Sequence, residues 1–199
     1  MFVLIFLFIV EIVNTQDFNK IIEAFSKSYS YETKTDYSSA IKILFDVYDA
    51  SSYEINLRLG WLNYLNGNFV ESITYYKKAI SLKPGSIEAK FGLTLPLSAM
   101  GNWDAVIKQY EDILKIDPNN TTALYRLGLI YYNKADYKNS YKYLEKLVNL
   151  YPFNYDGLIL FAWTNLKLGK YSQAKLLFQK VLLLSPNDIS AQEGLKTIK

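Results

Sequence analysis

Four prolines set the frame for everything this chain can fold into. Pro84, Pro118, Pro152 and Pro186 each stand 34 residues after the one before. A fixed period of about 20–50 residues marks a solenoid, in which one supersecondary unit cannot bury its own apolar face and stacks on copies of itself. The unit is clearest in 53–86, YEINLRLGWLNYLNGNFVESITYYKKAISLKPGS. It reads as a helix, a turn at Gly67-Asn68, a second helix and a stop at Pro84. Proline ends a helix because it has no N–H to donate and biases the preceding residue toward extended backbone.

Alignment on the prolines gives units 53–86, 87–120, 121–154 and 155–188, preceded by a divergent unit at about 21–52 and followed by a tail, 189–199. Certain columns recur. The first of the four carries Leu59-Gly60, Tyr64, Gly67, Phe69, Ser72, Tyr76 and Ala79. Unit 121–154 carries Leu127-Gly128, Tyr131, Tyr137, Ser140 and Leu144, and unit 155–188 carries Phe161-Ala162, Gly169, Tyr171, Ala174 and Phe178. Unit 87–120 keeps Leu93, Gly101, Trp103, Tyr110 and Ile113 but lacks the paired glycine. In 21–52, Tyr37, Ala40, Leu44 and Val47 mark a second helix, and Ser52 stands where the proline would fall. The small residues Gly60, Gly128 and Ala162 predict a close approach of the two helices of a unit, while Tyr76, Tyr110 and Phe178 are expected to fill the gap between successive units. A buried ring removes ~150–250 Å² from water, or about 4–6 kcal/mol gross at ~25 cal/mol/Å².

In these columns the chain resembles the tetratricopeptide repeat family, over nearly all of 16–199. The resemblance implies an all-α fold: a right-handed α-solenoid of antiparallel helix pairs, with about five units and a C-terminal capping helix at 189–199. Terminal repeats need a polar outer side, which Lys196 and Lys199 supply. Pro96 departs from the pattern. It falls inside the first helix of its unit, which it is expected to kink or shorten.

Composition narrows the chemistry. The chain has no cysteine and no histidine, which removes disulfides, thiol nucleophiles, histidine relays and the usual zinc ligands. Its 22 basic and 19 acidic residues leave a net charge of +3. Lysines are spread through the second helices, as Lys77, Lys108, Lys142 and Lys175. That reads as a solvated face rather than the concentrated patch that nucleic acid requires. Phosphate loops, a nucleophile elbow and EF-hand loops do not occur. Carboxylates stand singly at turns (Asp36, Asp136, Asp156) or side by side as Glu111-Asp112, the pattern of helix caps rather than of an acid/base pair. Neither a cofactor nor a metal is expected, and the chain does not read as an enzyme.

The first helix of each unit carries a second apolar stripe at the spacing i, i+4, i+7 or i+8: Leu57-Trp61-Tyr64, Phe91-Leu95, Tyr125-Leu129-Tyr132 and Ile159-Trp163. Helical periodicity puts each set on one face. In the family resembled, the corresponding positions line a concave groove, so these residues are expected to form an aromatic trough for a protein or peptide partner. The competing reading has the rings packed on one another and on the neighbouring helix. Arg58 and Arg126 hold equivalent places in alternate units; they either flank the groove, where a carboxylate or phosphate would meet them, or are ordinary solvated arginines. The family's Lys-and-Asn clamp for an acidic C-terminus is not reproduced.

Phe2 to Val10 is an unbroken apolar run, too short for a membrane span of roughly 20 residues. It matches the apolar core of a secretory signal covering 1–15, with a cut before Gln16. An exported protein follows from that reading. The competing one keeps the segment as a first core helix or a membrane contact. The expected function is a non-catalytic interaction scaffold, and the alternative is a self-assembly module that oligomerises through its groove or ends.

Overall fold

A computed structural model of the chain describes residues 15–198. The segment read as a signal peptide lies outside the described residues, Thr15 apart. Among those described, eleven helices and no strand occur. They are α1 (Thr15–Thr33), α2 (Tyr37–Phe45), α3 (Tyr53–Leu65), α4 (Phe69–Leu82), α5 (Ile87–Ala99), α6 (Trp103–Ile116), α7 (Thr121–Asn133), α8 (Tyr137–Leu150), α9 (Tyr155–Lys167), α10 (Tyr171–Leu184) and α11 (Ile189–Thr197). Consecutive helices pair as hairpins. The chain divides into two compact units, an N-terminal one ending at Pro84 and a C-terminal one starting at Gly85. The first holds α1–α4 and the second α5–α11.

Local chemistry explains the regularity. The first helices α3, α5, α7 and α9 each have 13 residues, and the second helices α4, α6, α8 and α10 each have 14. Ser52, Ser86, Asn120, Asn154 and Asp188 precede α3, α5, α7, α9 and α11. In each case the side chain accepts the backbone N–H three residues on, satisfying one donor that the first turn leaves unpaired. These caps keep the same step as the prolines. Ser52 is therefore the counterpart of Ser86 and caps α3; it does not take the place of a proline.

Between the helices of a hairpin the chain turns through one residue in the left-handed region. Gly67, Gly101 and Gly169 take φ of +78°, +71° and +74°, while Thr35 and Ala135 adopt 58° and 56° at the same place in their hairpins. The first hairpin is the irregular one. Its α1 has 19 residues and its α2 only nine. Val47, expected on that second helix, lies beyond its end at Phe45.

The close approach within a hairpin is real. A Cβ on Gly60 would come within 2.9 Å of the Tyr76 ring, and one on Gly128 within 2.6 Å of Leu144. The large residues of that column therefore also seat against their own hairpin, beside the place between successive units expected of them. Tyr76 lies on Gly60, and the Tyr110 ring meets Phe91 edge-on at 6.0 Å. Phe178 does both: it meets Trp163 edge-on at 5.2 Å and leaves Gly194 of α11 no room for a side chain. Pro96 does not shorten α5, which reaches Ala99 and matches its counterparts in length. It sits in the last turn, so it forgoes a single hydrogen bond, to the carbonyl of Gly92. Its buried ring fills a core position instead. No helix among the described residues is long and apolar enough to cross a membrane.

Candidate functional site

The stripe residues fall on both compact units, each of which presents its own set. In the N-terminal unit, α3 carries Leu57, Arg58, Trp61 and Tyr64. Leu57, Trp61 and Tyr64 are half-buried. The Trp61 indole N–H donates to Glu32 Oε1 at 2.7 Å, its ring is 5.8 Å from Tyr64, and Tyr64 in turn is 6.0 Å from Phe69. Arg58 overturns the expectation of a groove-flanking or solvated guanidinium, for it is only 8% exposed. Its Nη1 pairs with Glu32 Oε2 at 2.5 Å, Nε donates to Ser28 at 3.2 Å, and the guanidinium lies 3.9 Å from the centroid of the Tyr29 ring. Arg58 and Trp61 thus share one carboxylate and pin α3 to α1. In this unit the packing reading describes what the two side chains do.

In the C-terminal unit, Phe91 and Leu95 lie on α5, Tyr125, Arg126, Leu129 and Tyr132 on α7, and Ile159 and Trp163 on α9. All are half-buried except Arg126, which is exposed. Trp163 donates its N–H to Ser190 Oγ at 2.8 Å, tying α9 to the start of α11. Tyr132 meets Tyr137 edge-on at 5.5 Å. The pKa of Tyr125 is raised by burial and by the Asp156 carboxylate, and that of Tyr132 by burial and Tyr137. Phe91, Tyr125 and Ile159 occupy one column on successive first helices, and Leu95, Leu129 and Trp163 the next.

Three of these residues line one cavity. Leu95, Arg126 and Leu129 border a space of about 290 Å³ between α5 and α7, closed by Trp103, Val106 and Tyr110 of α6. A second space of about 250 Å³ adjoins it and shares Trp103, Ile130 and Asn133. Trp103 escaped the reading of the sequence as a site residue, since its place at the start of a second helix marked it as part of the repeat. It is nonetheless 47% exposed. The signal was available in the aligned columns, because Phe69, Trp103, Tyr137 and Tyr171 are equivalent while their first-helix neighbours differ.

A third cavity, about 400 Å³, is bordered by residues of α6, α7 and α8. Lys115, Lys142 and Lys146 surround Leu114, Pro118, Leu124 and Tyr143 there. Its one carboxylate, Glu111, accepts the Tyr143 hydroxyl at 3.2 Å, and Lys115 is held by Asp112 at 2.7 Å. Among the described residues, no three or more aspartates and glutamates are grouped so as to hold a metal ion.

Comparison with known proteins bears on the fold and on the family. A family model described as "Tetratricopeptide repeat" matches residues 26–87, and one described as "Anaphase-promoting complex, cyclosome, subunit 3" matches residues 99–181. The TPR repeat-containing protein YpiA of Bacillus subtilis is 26% identical over 133 residues, covering 67% of this chain and 31% of YpiA. The chain thus spans about a third of that relative's length. A tetratricopeptide repeat protein from Parabacteroides merdae superposes with a TM-score of 0.76 at 20% identity, over 90% of this chain and 72% of its own. MamA from Desulfovibrio magneticus RS-1 does so with a TM-score of 0.71 at 18% identity, over 86% and 98%. At such identities the likeness establishes the fold alone.

Proposed function

The chain belongs to the tetratricopeptide repeat family, and from that premise we propose that it is a non-catalytic scaffold holding a segment of a partner protein against its first helices. One observation carries the reading. On α5, α7 and α9 the column of Phe91, Tyr125 and Ile159 stays half-buried in every hairpin, as does the column of Leu95, Leu129 and Trp163. Large apolar residues that recur in register without being fully covered mark an interaction surface more often than a finished core.

The test is a cross-linking pull-down in which the captured segment is identified and its affinity measured. Tyr125→Ala should weaken binding by about 2 kcal/mol or more while leaving the thermal midpoint nearly unchanged. Affinity equal to wild type in both Tyr125→Ala and the Tyr125→Ala, Ile159→Ala pair would remove the groove from the reading. Export is part of the proposal and rests on the apolar run Phe2 to Val10; a secreted form beginning at Gln16 supports it, and one beginning at Met1 opposes it.

A second reading, self-assembly, is favoured by α10. Leu176 and Leu183 are 56% and 73% exposed. The earlier second helices place Thr74, Lys108 and Lys142 in the first of these columns and Ser81, Lys115 and Asn149 in the other. Light scattering across a range of concentrations separates the readings, since a protein that stays monomeric at high concentration removes self-assembly.

A further inference from the structure

A repeat protein allows each hairpin to be read against the others, and the hairpin of α5 and α6 lacks a ring that two of its counterparts have. In 53–86, Tyr64 of the first helix lies 6.0 Å from Phe69 at the start of the second. In 121–154, Tyr132 and Tyr137 repeat the contact at 5.5 Å. The equivalent pair in 87–120 is Ser98 and Trp103. Serine supplies no ring, and the cavity of about 290 Å³ has both Ser98 and Trp103 in its lining. The largest aromatic side chain of the column is thereby left 47% exposed beside an unfilled space. An exposed indole face beside an apolar hollow costs free energy that a second ring would recover.

We propose that this hollow receives an aromatic side chain from a partner segment, seated on Trp103 where the repeat would place its own tyrosine, with a carboxylate of the same segment meeting Arg126. The inference rests on the scaffold reading and names the chemistry of the segment. Charge supports the second half: Arg126 is the one charged residue in the cavity lining, and it is exposed. Geometry sets the spacing. Arg126 stands seven residues before Asn133, which borders the Trp103 end of the hollow, a rise of about 10 Å along α7. In an extended segment, side chains on the same side are two residues apart and about 6.6–6.8 Å from each other. Side-chain reach covers the remainder. The motif that fits is aromatic–any–acidic.

The probe is the capped pentapeptide acetyl-Gly-Phe-Ser-Asp-Gly-amide, titrated calorimetrically into the full chain. It should bind at least tenfold tighter than the same peptide with Phe replaced by Ala or Asp replaced by Asn. Ser98→Tyr restores the repeat's own ring and should reduce affinity at least tenfold while raising the thermal midpoint. Should Ser98→Tyr not fold, Ser98→Leu fills the same space with less bulk and should cause the same loss. Arg126→Gln, at an exposed position, should erase the preference for Asp over Asn and leave the preference for Phe over Ala. No binding by the wild type up to 1 mM, or equal binding by the filled variants, overturns the proposal. A partner segment that is captured by the wild type and by Ser98→Tyr alike, yet lost in Tyr125→Ala, overturns the hollow while leaving the groove intact.

Discussion

Tyr143 connects three helices through one side chain. From α8 its ring stacks on Tyr131 of α7, 5.8 Å away and only 8° from parallel, and its hydroxyl donates to Glu111 of α6. Burial and the Glu111 carboxylate push its pKa up from 10 to about 12. A raised acid pKa means that the fold favours the neutral phenol. That contribution is fully present below pH 10 and is lost as pH rises through 12. In an alkaline titration followed by tyrosinate absorbance, the last tyrosine to ionise should vanish in Tyr143→Phe, and the loss of stability between pH 10 and 12 should shrink with it. A wild-type curve with no such late step would refute the assignment. At this scale the sequence was partly legible. Gly60 and Gly128 announced a close approach because only a missing Cβ explains a glycine inside an apolar helix. Arg58 announced nothing, since its partner Glu32 lies in the hairpin whose second helix is shortened to nine residues, where alignment by a constant period fails.

Between residues and molecule stand the turns that join paired helices. All five observed turns pass through a left-handed residue, and three of those residues are glycine. Ala135 and Thr35 hold the same conformation with a Cβ, at roughly 1–2 kcal/mol for a non-glycine residue. Replacing Ala135 with glycine relieves that strain but adds about 0.5–1 kcal/mol of chain entropy to the unfolded state. Ala135→Gly should therefore raise stability by about 0.5–1 kcal/mol, read as a higher urea midpoint at unchanged slope; a lower midpoint would show that the strain is already relieved elsewhere. The glycines at 67, 101 and 169 were legible as turn signals. The caps before each first helix were not, because serine, asparagine and aspartate look like ordinary loop residues until their shared step is noticed. The gap at Ser98 was hidden for a similar reason: it appears only when a column is read for what it lacks.

For the whole molecule, stability in a stacked array is a sum of hairpin and neighbour terms, so position should govern local opening. In the C-terminal unit, α7 and α8 have helices packed on both sides, α6 before them and α9 after. The nine-residue α11, last of the described helices, packs on α9 and α10. Amide hydrogen exchange should accordingly be slowest in α7 and α8 and faster in α11. Uniform protection across the unit would mean that its hairpins open together. The all-helical architecture was legible because the period repeats four times in phase. Which stripe residues face solvent was not, since a column of rings has the same spacing whether it awaits a partner or serves the core.

The carboxylate of Glu32 makes the hairpins poor spare parts for one another. It takes two donors from α3, the Arg58 guanidinium and the Trp61 indole. In the matching places, hairpin 87–120 offers Gly92 and Leu95, hairpin 121–154 offers Arg126 and Leu129, and hairpin 155–188 offers Leu160 and Trp163. None brings both. A shuffled chain with any of these cassettes next to α1 would join a half-buried acid to an incomplete socket, so the order of the modules is written into a single side chain at their first junction.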